Sequence, residues 1–148
     1  LKKLVQEVLF LSETNALKKN ISMYNEVESG TFIIADQNMI DLVLRNLISN
    51  AIKFTQYGGE VKISTERSGD FCSISITDNG VGIPPQNLSK LFKLDSMLTT
   101  TGTNNEQGSG MGLLLVKDFV EIQGGSISIE SEPGKGTTVE FTIRASAD

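Results

Sequence analysis

The sequence predicts an α+β fold: a two-layer sandwich of about five mostly antiparallel strands, covered on one face by three helices. Three observations predict it. Two long segments carry apolar residues at helical spacing, one near the start and one from Asp36 to Thr55, and a third helical segment follows Gly110. Two alternating runs, Glu60–Arg67 and Phe71–Thr77, are separated only by Ser68-Gly69-Asp70, a hairpin signal that makes them antiparallel neighbours. Two further alternating runs, Ser126–Glu130 and Thr137–Arg144, flank Glu132-Pro133-Gly134-Lys135-Gly136.

In chain order, Leu1 to about Leu17 places Leu1, Leu4, Val5, Val8, Leu9 and Leu11 as an amphipathic helix. Asn20–Val27 reads as a strand, and Thr31–Ala35 as a short β-rich run. Asp36 is suited to cap the central helix, whose stripe is Ile40, Val43, Leu44, Leu47, Ile48 and Ala51. Tyr57-Gly58-Gly59 supplies a glycine signal for its end. Asp78 to Pro85 is a loop, and Gln86–Phe92 a short helix with Leu88, Leu91 and Phe92. Lys93 to Gly110 is long and polar, a pattern that usually marks a functional loop such as a lid. Gly110–Gln123 is apolar nearly all round, which predicts a well-buried helix capped by Gly124-Gly125.

The 148 residues fit one domain, divided here into a leading helix over 1–18 and a main unit over 19–148. A net charge of −5, with no more than two basic residues in succession, argues against nucleic acid as a partner. The single cysteine, Cys72, excludes a disulfide framework and reads as a buried structural thiol. No apolar run approaches the roughly 18 residues a spanning helix needs, so no direct membrane contact is expected. The chain opens on Leu1 within a helical pattern, which suggests a piece of a longer protein. Histidine is absent.

On the central helix, Asn46, Asn50 and Lys53 stand at i, i+4 and i+7 and share a face. That face lies about a third of a turn from the apolar stripe, at ~100° per residue. Alone, the arrangement fits a pocket wall or ordinary boundary polarity equally well. Glycines cluster at Gly80/Gly82, Gly108/Gly110/Gly112 and Gly134/Gly136. The second cluster runs into a helix start, where free N–H groups suit phosphate; a hinge with tight packing explains it as well. It is neither a Walker A loop nor the dinucleotide fingerprint. Asp78, at a strand end, is placed either to accept from an exocyclic amine or to stabilise its own turn.

In combination these motifs resemble the ATP-binding catalytic domain of sensor histidine kinases, in the GHKL (Bergerat-fold) superfamily. NLISNAIKFT is similar to the N box, DNGVGIP to the G1 box, LF to the F box, GSGMGL to the G2 box and GKGTT to the last glycine box. The resemblance runs from about Ile21 to Ile143. The lid phrase TGTNNEQGSGMGL is similar to those of bacterial hybrid two-component sensors.

The resemblance implies ATP and Mg²⁺ as ligands. Asn50 would hold Mg²⁺, and Asn46 and Lys53 would contact phosphate or its water. Phe54 would line the pocket. Asp78 would accept from the adenine amine, supported by Thr137, with Gly80, Gly82 and Ile83 shaping the loop beside the base. Gly108, Ser109, Gly110, Met111, Gly112 and Leu113 would offer backbone N–H groups to phosphate. The implied reaction is phosphoryl transfer to a histidine, with Asn46, Asn50 and Lys53 as the reactive-end residues. Implied partners are a histidine-bearing dimerisation domain and a response-regulator receiver domain, in the cytoplasmic part of a membrane-bound sensor, with this piece alone a monomer.

Two departures qualify the match. The accepting histidine must lie outside these residues, so this piece alone would bind ATP without autophosphorylating. The lid from Asp95 to Gly110 contains no Lys or Arg; Lys93 is nearest, and Thr101 stands where related lids have Lys. Two competing readings follow. ATPases of the same fold place a glutamate base where Asn46 stands, and an amide cannot take a proton from water. A degenerate nucleotide sensor fits the bare lid but not the intact Asn50, Asp78 and glycine boxes.

Overall fold

The structure is a computed structural model and describes residues 1–92 and 112–147. Its elements are α1 (Lys2–Lys18), β1 (Ser22–Asn25), α2 (Gln37–Phe54), β2 (Glu60–Ser68), β3 (Phe71–Asp78), α3 (Pro85–Leu88), α4 (Gly112–Ile122), β4 (Ile127–Glu132) and β5 (Gly136–Arg144). The strands form one sheet in the order β1-β2-β3-β5-β4. β1 runs parallel to β2, and the other neighbours are antiparallel. The α+β, mostly antiparallel expectation therefore holds.

Strand parity explains the two layers. Val61, Ile63, Cys72, Ile74, Ile76, Phe141 and Ile143 share one face and are buried under the helices. The opposite face is hydrophilic: the Thr77 and Thr138 hydroxyls lie 3.2 Å apart, and Ser75 Oγ donates to Glu140 at 3.2 Å. An antiparallel sheet with one polar face needs no second covering layer. Burial pushes the Cys72 thiol up, which keeps it protonated and inert.

Helix ends follow local chemistry. Asp36 caps α2 by accepting from the Met39 N–H at 3.0 Å. α1 ends in a left-handed Asn20 (φ 51°), with the Ile21 N–H reaching back to the Ala16 carbonyl. α4 ends in the same way on Gly124 (φ 82°), with the Gly125 N–H donating to Val120. The glycine ending expected for α2 does not occur. Its cap is Thr55, in extended backbone, whose hydroxyl donates to the Ala51 carbonyl at 2.6 Å. The buried Lys19 ammonium donates to the Ile52 and Lys53 carbonyls at 2.9 and 3.0 Å. These side chains satisfy the Ala51, Ile52 and Lys53 carbonyls, and the Gly58 N–H, in the turn beyond, donates to the Lys19 carbonyl at 2.8 Å. Lys19→Met should lower stability by roughly 2–4 kcal/mol, because charge-assisted bonds to carbonyls near a helix C-terminus are lost. A thermal melt checks this; an unchanged midpoint would show that the clasp carries little.

Three elements differ from expectation. Thr31–Ala35 forms only one bridge, Ile33 with Ala145, because it passes the sheet end and does not join it. The short helix covers Pro85–Leu88 and continues as tighter i→i+3 turns to Leu91, short of the expected Phe92. α4 buries Val116 and Val120, but Leu115 and Ile122 stay 41% and 68% exposed. It packs on α2 and on the β4–β5 edge, so one stripe is covered and not the whole circumference. The expected lid over 93–110 lies outside the described residues. Among the described residues, no helix is long and apolar enough to cross a membrane.

Candidate functional site

The site residues converge because α2 and the C-terminal end of β3 meet. The Val81 N–H donates to the Phe54 carbonyl at 3.1 Å, joining the last residue of α2 to the loop after β3. Gly80 is buried in that junction, where an added Cβ would overlap the Phe54 carbonyl oxygen. Gly82 adopts φ 74° and lies against the Glu132 carbonyl, where a side chain would collide. Thus the glycines of the D-x-G-x-G run are needed for close backbone approach.

Asp78 occupies the apolar parity of β3, below Ile76 and Ile74, and pairs in register with Thr137 on β5. Both side chains therefore project from the helix-covered face at the end of the sheet. The Gly80 N–H donates to Asp78 Oδ1 at 2.9 Å, and the Thr137 N–H also donates to this carboxylate. The turn-stabilising role is real. Burial nevertheless dominates over those two donors and pushes the carboxyl up to about 6. A half-buried acceptor that its surroundings do not fully stabilise suits an amine-bearing ligand.

On α2, Asn46 is held by its own turn: Nδ2 donates to the Leu42 carbonyl at 2.9 Å. Its Oδ1 is thereby turned toward the start of α4, where a Cβ on Gly112 would come within 2.9 Å of it. Asn50, one turn on, is half-buried. The Lys53 ammonium lies 4.9 Å from the centroid of the Phe54 ring, a cation–π distance. Phe54 is half-buried, and Leu113 packs on the core beside the α4 start. The structure thus brings together Asn46, Gly112 and Leu113, and separately Phe54, Gly80, Gly82, Ile83, Asp78 and Thr137, along one helix. Gly108, Ser109, Gly110 and Met111 lie outside the described residues.

Sequence reasoning missed Ser131. Its hydroxyl accepts from the Ile83 N–H at 2.8 Å, donates to the Gly136 carbonyl at 2.9 Å and lies 2.7 Å from Thr137 Oγ1. A signal existed: Ser131 shares strand parity with Ile127 and Ile129, which places it on the covered face. No such signal marked Lys19.

The donor set limits how a divalent cation could be held. Among the described residues, no group of three or more His, Cys, Asp or Glu side chains can hold a metal. An ion here would be held by an amide oxygen together with ligand phosphates and water, a set that suits Mg²⁺, which keeps much of its hydration.

Comparison with known proteins agrees with this geometry. The family described as histidine kinase-, DNA gyrase B-, and HSP90-like ATPase matches residues 35–147. The Non-motile and phage-resistance protein of Caulobacter vibrioides is 39% identical over 115 residues, 75% of this chain and 14% of its own length. Sensor histidine kinase WalK of Bacillus subtilis is 37% identical over 114 residues, 76% of this chain and 19% of its own. The chain therefore spans under a fifth of the length of these two relatives. The nucleotide-free catalytic domain of histidine kinase ThkA superposes with a TM-score of 0.82 at 32% identity, covering 97% of this chain and 91% of that one. ThkA in complex with the response regulator protein TrrA matches with a TM-score of 0.76 at 29% identity, covering 99% of this chain and 40% of that one.

The chain belongs to the histidine kinase-, DNA gyrase B-, and HSP90-like ATPase family. Within it, the chain has the fold of a histidine kinase catalytic domain.

Proposed function

We propose that this chain binds Mg-ATP and directs its γ-phosphoryl group to a histidine on a separate helical dimerisation domain, in a two-component sensor. The chain has no histidine, so the acceptor belongs to another segment or chain. The observation that carries the reading is the placement of an amide-bearing face of α2 between the α4 start and the Asp78–Thr137 pair. This face offers amide and ammonium groups suited to phosphate, and its C-terminal end meets a loop that carries a carboxylate suited to a base.

Bound ATP with its magnesium ion supplies the transferable group and neutralises its charge. Asn50 would hold the ion through its side-chain oxygen, with Asn46 and Lys53 beside the phosphates. Asp78 would accept from the adenine amine, and Phe54, Gly80, Gly82 and Ile83 would border the base. Gly112 and Leu113, with 108–111, would offer backbone N–H groups to phosphate. Asn46 has no basic site to deprotonate water, which favours phosphoryl transfer over hydrolysis. We read α1 as the helix entering from the dimerisation domain, and a receiver domain as the downstream partner. The response regulator held by ThkA supports that last assignment. The site would lie on the cytoplasmic side of the parent sensor, and the chain alone would be monomeric.

Titration with a non-hydrolysable ATP analogue by calorimetry, with and without Mg²⁺, tests the binding step. Magnesium-dependent binding is expected. Absence of binding in both conditions would overturn the reading in favour of a nucleotide-independent interaction module.

A further inference from the structure

We propose that Ser131 is a positioning residue that makes the site select an amino-purine over an oxo-purine, by fixing the polarity of the Thr137 hydroxyl. This rests on the nucleotide-binding reading above and goes beyond it.

A hydroxyl has one proton and two lone pairs. Ser131 Oγ lies within hydrogen-bond distance of three groups: the Ile83 N–H, the Gly136 carbonyl and Thr137 Oγ1. The amide can only donate and the carbonyl can only accept. Ser131 therefore spends its proton on Gly136 and one lone pair on Ile83. Its remaining capacity is a lone pair, so the bond to Thr137 is made with the Thr137 proton.

Thr137 is then left with acceptor capacity alone. Its register partner across the strands is Asp78, whose ionised carboxylate is also acceptor-only. Two acceptors on neighbouring strands of one face match the two protons of an exocyclic amine. Against the C6 carbonyl of guanine they place acceptor against acceptor. Without Ser131, the Thr137 hydroxyl rotates freely and can donate to that carbonyl. Ser131 also ties the loop at Ile83, 48 residues away, to the turn between β4 and β5.

The test is calorimetric titration of the whole 148-residue chain with non-hydrolysable ATP and GTP analogues in the presence of Mg²⁺. The unmutated chain should prefer the adenine analogue by at least ~100-fold, as expected where a site hydrogen-bonds one substrate group and not its replacement. Ser131→Ala should cut that ratio by roughly tenfold, the size of one redirected hydrogen bond. Ser131→Thr, which keeps the hydroxyl, should restore it. In a Thr137→Val background, Ser131→Ala should leave the ratio unchanged, because no Thr137 proton remains to direct. An unchanged ratio in Ser131→Ala, or an equal drop in the Thr137→Val background, overturns the role of Ser131 while leaving nucleotide binding intact. Equal binding of both analogues by the unmutated chain overturns the selectivity itself. Binding of neither overturns the functional reading beneath it.

Discussion

Asn50→Ala should abolish the magnesium-dependent part of nucleotide affinity while leaving the fold intact. Asn50 is half-buried on α2, and the helix core of Val43, Leu44, Leu47, Ile48 and Ala51 lies on another face. Alanine is the stronger helix former, so folding does not suffer from the exchange. What is lost is one neutral oxygen in a place where, among the described residues, no carboxylate cluster can substitute. Losing an interaction with a charged partner costs about 1.5–3 kcal/mol, hence an affinity loss of roughly 10- to 100-fold. Calorimetry with and without Mg²⁺ separates the contributions. The variant should bind equally weakly in both conditions, and a retained magnesium response would remove Asn50 from the metal role.

Asp78→Asn should weaken binding of adenine nucleotides and, at the same time, change how stability depends on pH. The carboxyl stands at about 6 in the fold against an ordinary value of 3.8. Between those values the folded state holds a proton that the unfolded chain has released. Stability from this group is therefore complete below about pH 4 and falls as pH rises through about 6. The cost at neutral pH is roughly 2–3 kcal/mol, from about 1.4 kcal/mol per pKa unit. Asparagine removes that titration, so the difference in stability between variant and parent should grow across this window. Parallel pH profiles would contradict it. Binding moves the other way. In the unmutated chain, affinity for adenine should decline as pH falls below about 6, since protonation removes an acceptor. In the variant, affinity should be lower throughout and insensitive to pH in that range. A partly desolvated carboxylate thus weakens the fold at the pH where the proposed base contact would need it ionised.

Much of this was legible because periodicity carries position. A helix through Asn46, Asn50 and Lys53 has only one way to place them, and α2 formed over Gln37–Phe54 as its apolar stripe required. Alternation placed Asp78 and Thr137 with the buried members of β3 and β5. What stayed hidden depends on contacts distant in sequence. Lys19 sits at the end of α1 beside Lys18 and reads as a solvated charge, yet it reaches carbonyls 33 and 34 residues away. The exposure of Leu115 and Ile122 was equally hidden, since composition cannot say that α4 lies over a sheet edge. Ser131 lies between these cases: its parity was readable, but its three partners depend on the pairing of β4 with β5 and on the path of the Ile83 loop.

Helix α2 is fastened at both ends. At its start, the Asp36 N–H donates to the side-chain oxygen of Gln123, the residue just past the end of α4, at 2.7 Å. At its end, Lys19 holds the last carbonyls. A nucleotide bound as proposed would find the amides of this helix already in place, so the disorder that must be surrendered to align them would be lost during folding and not at the encounter. Preorganisation of this kind raises affinity without adding a contact. Loosening either fastening would then reach the ligand as lost entropy, with every group that touches it still present.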